Sequence, residues 1–114
     1  MDEDRARARL RAERAEVQSL LKDAEAAGRA DRAEEDETGD IADPAQLLTA
    51  QGQDDAIAES LRDRLAALDR AEKRLDNGTF GRSIRSGRPI PDERLEADPA
   101  AELTIEEAEA QARN

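Results

Sequence analysis

A chain with one aromatic side chain cannot build a conventional globular core, and Phe80 is the single aromatic in these 114 residues. Charged residues make up 41% of the chain, which leaves too little apolar volume for two packed layers of ordinary thickness. The chain is instead rich in alanine, glutamate, arginine and leucine, a composition suited to long helices that share a narrow apolar seam. Disorder is the competing outcome, and the charge density favours it toward the ends.

The seam is visible in the spacing. Leu10, Val17, Leu21 and Ala24 recur at steps of seven, four and three, which predicts one helix from Asp4 to about Glu34. Arginines and glutamates fill its outer faces at spacings that allow i,i+4 pairs, and Gly28 weakens the seam at the far end. A second helix is clearest from Asp55 to Asp76, with Ile57, Leu61, Leu65, Leu68 and Leu75 on one face and Asn77-Gly78 as its stop. About 30 residues of helix extend about 45 Å, and neither helix can bury its seam alone. Antiparallel packing of one on the other is the simplest solution. The expected fold is therefore mainly α. A long antiparallel two-helix coiled-coil hairpin occupies 1–76, with its tip loop at about 35–45, and a small globular segment with a short C-terminal helix occupies 77–114.

At the tip, Asp43-Pro44-Ala45-Gln46 reads as an N-cap, a proline at N1 and a glutamine at N3, which starts a helix without any partner. Acidic residues ahead of a helix also suit its dipole, as at Asp2-Glu3-Asp4 and Asp54-Asp55. The acidic run from Glu34 to Asp40 lacks the ordered spacing of an EF-hand loop. Near the other end, Thr104-Ile105-Glu106-Glu107 has the pattern of a capping box. Phe80, Ile84, Ile90, Leu95, Leu103 and Ile105 are expected to form a small cluster there, with Phe80 at its centre.

Three further runs carry a resemblance: Gly78-Thr79-Phe80-Gly81, Gly87-Arg88-Pro89-Ile90-Pro91 and Arg94-Leu95-Glu96-Ala97-Asp98-Pro99. Together they resemble the zinc-finger segment of the DksA/TraR family of bacterial transcription factors: a Gly-aromatic-Gly turn, CxxCG, a PIP-like step, an RLEA-x-P run and a second CxxC before a final helix. Asp40-Ile41-Ala42-Asp43-Pro44-Ala45 is similar to that family's D-x-x-D-x-A tip motif, and the spacing from Asp43 to Phe80 looks like the family's without a gap. The resemblance covers roughly residues 40 to 110; the N-terminal helix matches only in type. At the four ligand positions this chain has Ser83, Ser86, Thr104 and Glu107. With no cysteine and no histidine anywhere, no structural zinc and no other cofactor is expected, and the capping box would start the last helix in its place.

The resemblance implies a function. In that family the hairpin enters the secondary channel of bacterial RNA polymerase and brings its tip near the catalytic magnesium, which would make Asp40, Asp43 and Ala45 the polymerase-contacting residues here. Arg82, Arg85 and Arg88 are candidates for contact with an acidic rim of the polymerase, or else ordinary solubilising charges on a turn. Where some family members bind ppGpp with basic residues, this chain has Ala67, Asp98 and Ala108, so a weak or absent response is expected. The family also implies a monomer. The alternative is a coiled-coil adaptor that has kept the outline and lost the regulation, which the missing cysteines favour.

Charge and composition narrow the classes further. A net charge of −11 argues against nonspecific DNA or RNA binding, because phosphate contacts need an excess of basic residues. No apolar run approaches membrane-spanning length and no signal peptide is visible, so the expected location is cytoplasmic. Histidine, cysteine, tyrosine and a glycine-rich phosphate cradle are all missing, and a two-helix hairpin offers no concave pocket, which speaks against an enzyme.

Overall fold

A computed structural model describes residues 1–38 and 44–113, and the side chains of 1–30 and 52–113. The described chain folds into helices α1 (Glu3–Thr38), α2 (Pro44–Asn77), α3 (Asp92–Ala97) and α4 (Ile105–Arg113). Among the described residues the sole β pairing is an isolated antiparallel bridge between Arg82 and Pro89. No helix among them is long and apolar enough to cross a membrane.

Local chemistry sets the helix ends. Asp2 opens α1: its carboxylate accepts the Asp4 N–H at 3.2 Å and its carbonyl accepts the Ala6 N–H at 2.9 Å. The helix runs past Glu34 to Thr38, and no proline interrupts the sequence before its end. α2 begins at Pro44, the residue that the sequence places at N1. It ends in a Schellman motif, with the Thr79 N–H on the Arg74 carbonyl at 2.8 Å and the Gly78 N–H on the Leu75 carbonyl at 3.3 Å. Gly78 has φ +76°, a conformation that asks for glycine.

Two compact units form, one from 1–14 and 66–114, the other from 15–65. In the first, α1 and α2 run antiparallel. Arg7 pairs with Asp76 at 2.9 Å, and Arg14 pairs with Glu72 at 3.2 Å and with Asp69. Ala6, Leu10, Leu68, Ala71 and Leu75 make the buried seam there, with Leu10 and Leu68 fully enclosed. The Arg7–Asp76 and Arg14–Asp69 pairs have exposed carboxylates, so each contributes at most about 1 kcal/mol, whereas Glu72 is mostly buried. Burial of the apolar seam stabilises this unit more than the ion pairs do.

In the second unit, Glu25 pairs with Arg62 at 3.3 Å. Val17, Gly28 and Ala58 are buried, and Leu21, Ala24, Leu61 and Leu65 are half-buried. Here one expectation fails: Ile57 is 52% exposed and Ala58 takes its place. Steps of four and of three back from Leu61 reach 57 and 58, so periodicity alone could not choose between them. The seam takes the smaller residue, in a unit whose other buried positions also include a glycine.

The chain after α2 forms a small core of Ile90, Leu95 and Ala101, with Met1 and Phe80 packed against it. Phe80 is half-buried at the edge of this cluster, not at its centre. Ile84 and Ile105 lie outside the cluster, 61% and 49% exposed. Smaller residues are buried in this segment instead: Pro99, Ala100 and Ala101. α4 buries no residue, Ile105 included.

Candidate functional site

Of the expected tip residues, Asp40 and Asp43 lie outside the described residues, and Ala45 falls in the first turn of α2 with its side chain outside the description. The other expected positions belong to the unit formed by 1–14 and 66–114.

Between α2 and α3 the chain doubles back on itself. The Ile90 N–H donates to the Gly81 carbonyl at 2.7 Å and the Ser83 N–H to the Arg88 carbonyl at 2.8 Å, on either side of the Arg82–Pro89 bridge. Gly87, with φ +74°, lets the turn close, and its N–H reaches the Ser83 carbonyl at 2.9 Å. Inside the turn the Ser83 hydroxyl accepts the Arg85 N–H at 3.1 Å and the Ser86 N–H at 3.2 Å. Ser83 is a buried polar residue, and these bonds are what make its burial tolerable.

The second half of the cluster comes from the start of α4. The Thr104 hydroxyl accepts the Glu107 N–H at 3.2 Å, and the Glu107 carboxylate accepts the Thr104 N–H at 3.0 Å. This is the capping box expected from the sequence. The carboxylate does more than cap. Hydrogen bonding from the Ser83 hydroxyl first, then from the Thr104 backbone, holds Glu107 down from an ordinary 4.5 to about 2, and Ser86 adds to this. Ser83, Ser86 and Thr104 thus all bear on the Glu107 carboxylate. As a zinc site the set does not fit: three hydroxyls and one carboxylate include neither thiolate nor imidazole, and their lone pairs are already committed to hydrogen bonds. What converges on the carboxylate is a set of hydrogen-bond donors.

Glu102 anchors this end to α2, and nothing in the sequence singles it out. Its carbonyl accepts the Ile84 N–H at 2.9 Å. Its carboxylate takes a two-pronged contact from Arg70, at 2.8 and 3.2 Å, and a third from Arg74 at 3.4 Å. Burial pulls the Arg74 guanidinium below its ordinary value; Glu102 opposes that shift and Arg70 reinforces it. The i,i+4 spacing of Arg70 and Arg74 is the available clue to a shared acidic partner.

The three candidate arginines sit on the doubled-back segment. Arg82 donates to the Gly87 carbonyl at 3.2 Å, while Arg85 and Arg88 are exposed. From Asn77 to Pro91 the chain has no acidic residue, so these three charges form a local basic patch on an acidic protein. Of the positions compared with ppGpp-binding residues, Ala67 and Ala108 are half-buried and the Asp98 carboxylate accepts the Ala100 N–H at 3.0 Å.

The whole arrangement is similar to a solved structure, that of transcription factor DksA2 from Pseudomonas aeruginosa. The likeness covers 97% of this chain and 83% of that one, with a TM-score of 0.76 and 26% identity. The chain has a DksA-like fold. Part of this DksA-like chain is also similar to general stress protein 16O of Bacillus subtilis (strain 168), at 38% identity over 66 residues. That match takes in 58% of the chain and only 40% of the relative's length. No family model matches the chain.

Proposed function

We propose that this protein is a non-enzymatic transcription regulator that binds bacterial RNA polymerase through its secondary channel. The observation that carries the reading is the likeness to the transcription factor DksA2 over 97% of the chain. In this reading the hairpin of 1–76 is the arm, and Asp40 and Asp43 are placed beside the catalytic centre, with Ala45 next to them. They act by charge and by occupying space, and change the lifetime of initiation complexes. The segment 77–114 braces the arm and presents Arg82, Arg85 and Arg88 to the rim of the channel. It does so without zinc, as a degenerate finger whose ligand positions hold one another by hydrogen bonds. The protein acts as a cytoplasmic monomer, without sequence-specific contacts to DNA and with little dependence on ppGpp.

The test is binding to core RNA polymerase, with open-complex lifetime read in the same samples. An Asp40→Asn, Asp43→Asn double variant is expected to bind within about threefold of wild type, since rim and arm contacts remain, yet to leave the lifetime unchanged. Wild-type protein that neither binds nor alters the lifetime would sink the reading and leave the adaptor alternative in its place.

A further inference from the structure

Ile84, a residue expected in the core, is the most exposed large apolar side chain among the described residues, at 61%. It stands between Arg82 and Arg85 and between two concavities. One, of about 400 Å³, is lined by Arg74, Thr79, Arg82, Ser83 and Gly87 together with Ile84. The other, of about 420 Å³, is lined by Arg85, Glu102, Leu103 and Gln111, again with Ile84. We propose that Ile84, Arg82 and Arg85 form a docking surface for an acidic segment of RNA polymerase that carries its own apolar anchor. The proposal rests on the polymerase reading above and names the chemistry of the contact.

Three observations support it. The ridge is rigid before anything binds. Its backbone is fixed by Ile84 to Glu102 at 2.9 Å, by Ser83 to Arg88 at 2.8 Å and by Gly87 to Ser83 at 2.9 Å, so little ordering cost falls on association. An exposed aliphatic side chain flanked by arginines, with a depression on each side, has the anatomy of an interface centre: apolar anchors and arginine contribute most, and hollows receive the partner's side chains.

The charge selects the occupant. Of the nearby acids, Glu102 is offset by Arg70 and Arg74, and the single charge of Glu107 leaves Arg82, Arg85 and Arg88 in excess. A carboxylate-bearing segment is complementary to it. A nucleic acid is not, since the whole chain carries −11 and the ridge has no aromatic ring on which a base could stack.

The experiment measures binding of full-length protein to core RNA polymerase at two salt concentrations, for wild type, Ile84→Ser, Ile84→Leu and Arg85→Glu. The serine and glutamate variants are expected to bind roughly tenfold more weakly, and the leucine variant close to wild type. Arg85→Glu should also flatten the salt dependence. Thermal midpoints should stay level because both side chains are exposed. If the serine variant melts lower, Arg85→Glu decides the matter alone. Unchanged binding by both Ile84→Ser and Arg85→Glu overturns the docking surface and leaves the polymerase reading intact. Failure of wild type to bind overturns both. A loss of self-association in place of polymerase binding overturns the proposal in favour of a second copy of the chain.

Discussion

Replacing Leu68 by alanine is expected to destabilise the protein by about 2–5 kcal/mol, a large share of the ~5–15 kcal/mol that holds a chain of this size together. Leu68 and Leu10 are the largest fully buried side chains among the described residues. Their neighbours in the seam, Ala6 and Ala71, are small and cannot reach into a vacated volume. Arg14 and Glu72 beside the seam are held at 3.2 Å in an ion pair and are poorly placed to fill an apolar hole. The residue lost therefore leaves a cavity and not a collapsed gap. Thermal unfolding followed by helical circular dichroism measures the cost, with Ile57→Ala as the comparison. That substitution sits on the same helix and removes a side chain of similar size, but one that is 52% exposed, so its effect should be below about 1 kcal/mol. Equal midpoints for the two variants would mean that the seam at Leu68 is not what holds the first unit together.

The contrast between these two residues also marks what is legible in the sequence. Steps of three, four and seven identify the paired helices, and Leu10, Val17, Leu68 and Leu75 are buried as the periodicity requires. Proline at 44 and glycine at 78 mark the start and stop of α2, because each restricts or frees the backbone by its own covalent structure. Thr104 and Glu107 form the capping box because its bonds are local and need no tertiary partner. Legibility ends where the outcome depends on packing between segments distant in sequence. Ile84 and Ile105 read as core material, yet the core is built from Ile90, Leu95 and Ala101, a fit that depends on a shape composition does not reveal. Glu102 is indistinguishable from other glutamates until Arg70 and Arg74, some 30 positions away, are placed against it. The likeness to DksA2 supports the fold over nearly the whole chain, while the acidic tip at Asp40 and Asp43 is a reading of motif alone.

Replacing Glu107 by glutamine should loosen the turn around Ser83, although the two residues are far apart in sequence and the change removes no volume. The carboxylate draws hydrogen bonds from Ser83, Thr104 and Ser86, which is why it stays ionised down to about 2. The same Ser83 hydroxyl accepts the Arg85 and Ser86 amides. An amide at 107 can still accept a bond but carries no charge, and charged acceptors form the stronger bonds. Exchange of the Arg85 and Ser86 amide hydrogens is expected to quicken by roughly tenfold, while amides in the middle of α1 keep their wild-type protection.

The acid response gives a second, independent readout. A carboxylate whose folded value lies below its unfolded one contributes stability that is complete above about 4.5 and fades as pH falls through about 2. Every other carboxylate is common to both proteins, so the quantity to follow is the difference in thermal midpoint between wild type and Glu107→Gln. That difference should be largest near neutrality and shrink toward zero as the pH approaches 2. A difference that is constant with pH would assign the effect to the altered shape of the side chain. No difference at any pH, together with unchanged exchange at Arg85 and Ser86, would mean that the turn is held by its glycines and backbone bonds alone. The expected result instead makes the charge on Glu107 the tie between the turn and α4, at the positions where the resembling family has metal ligands.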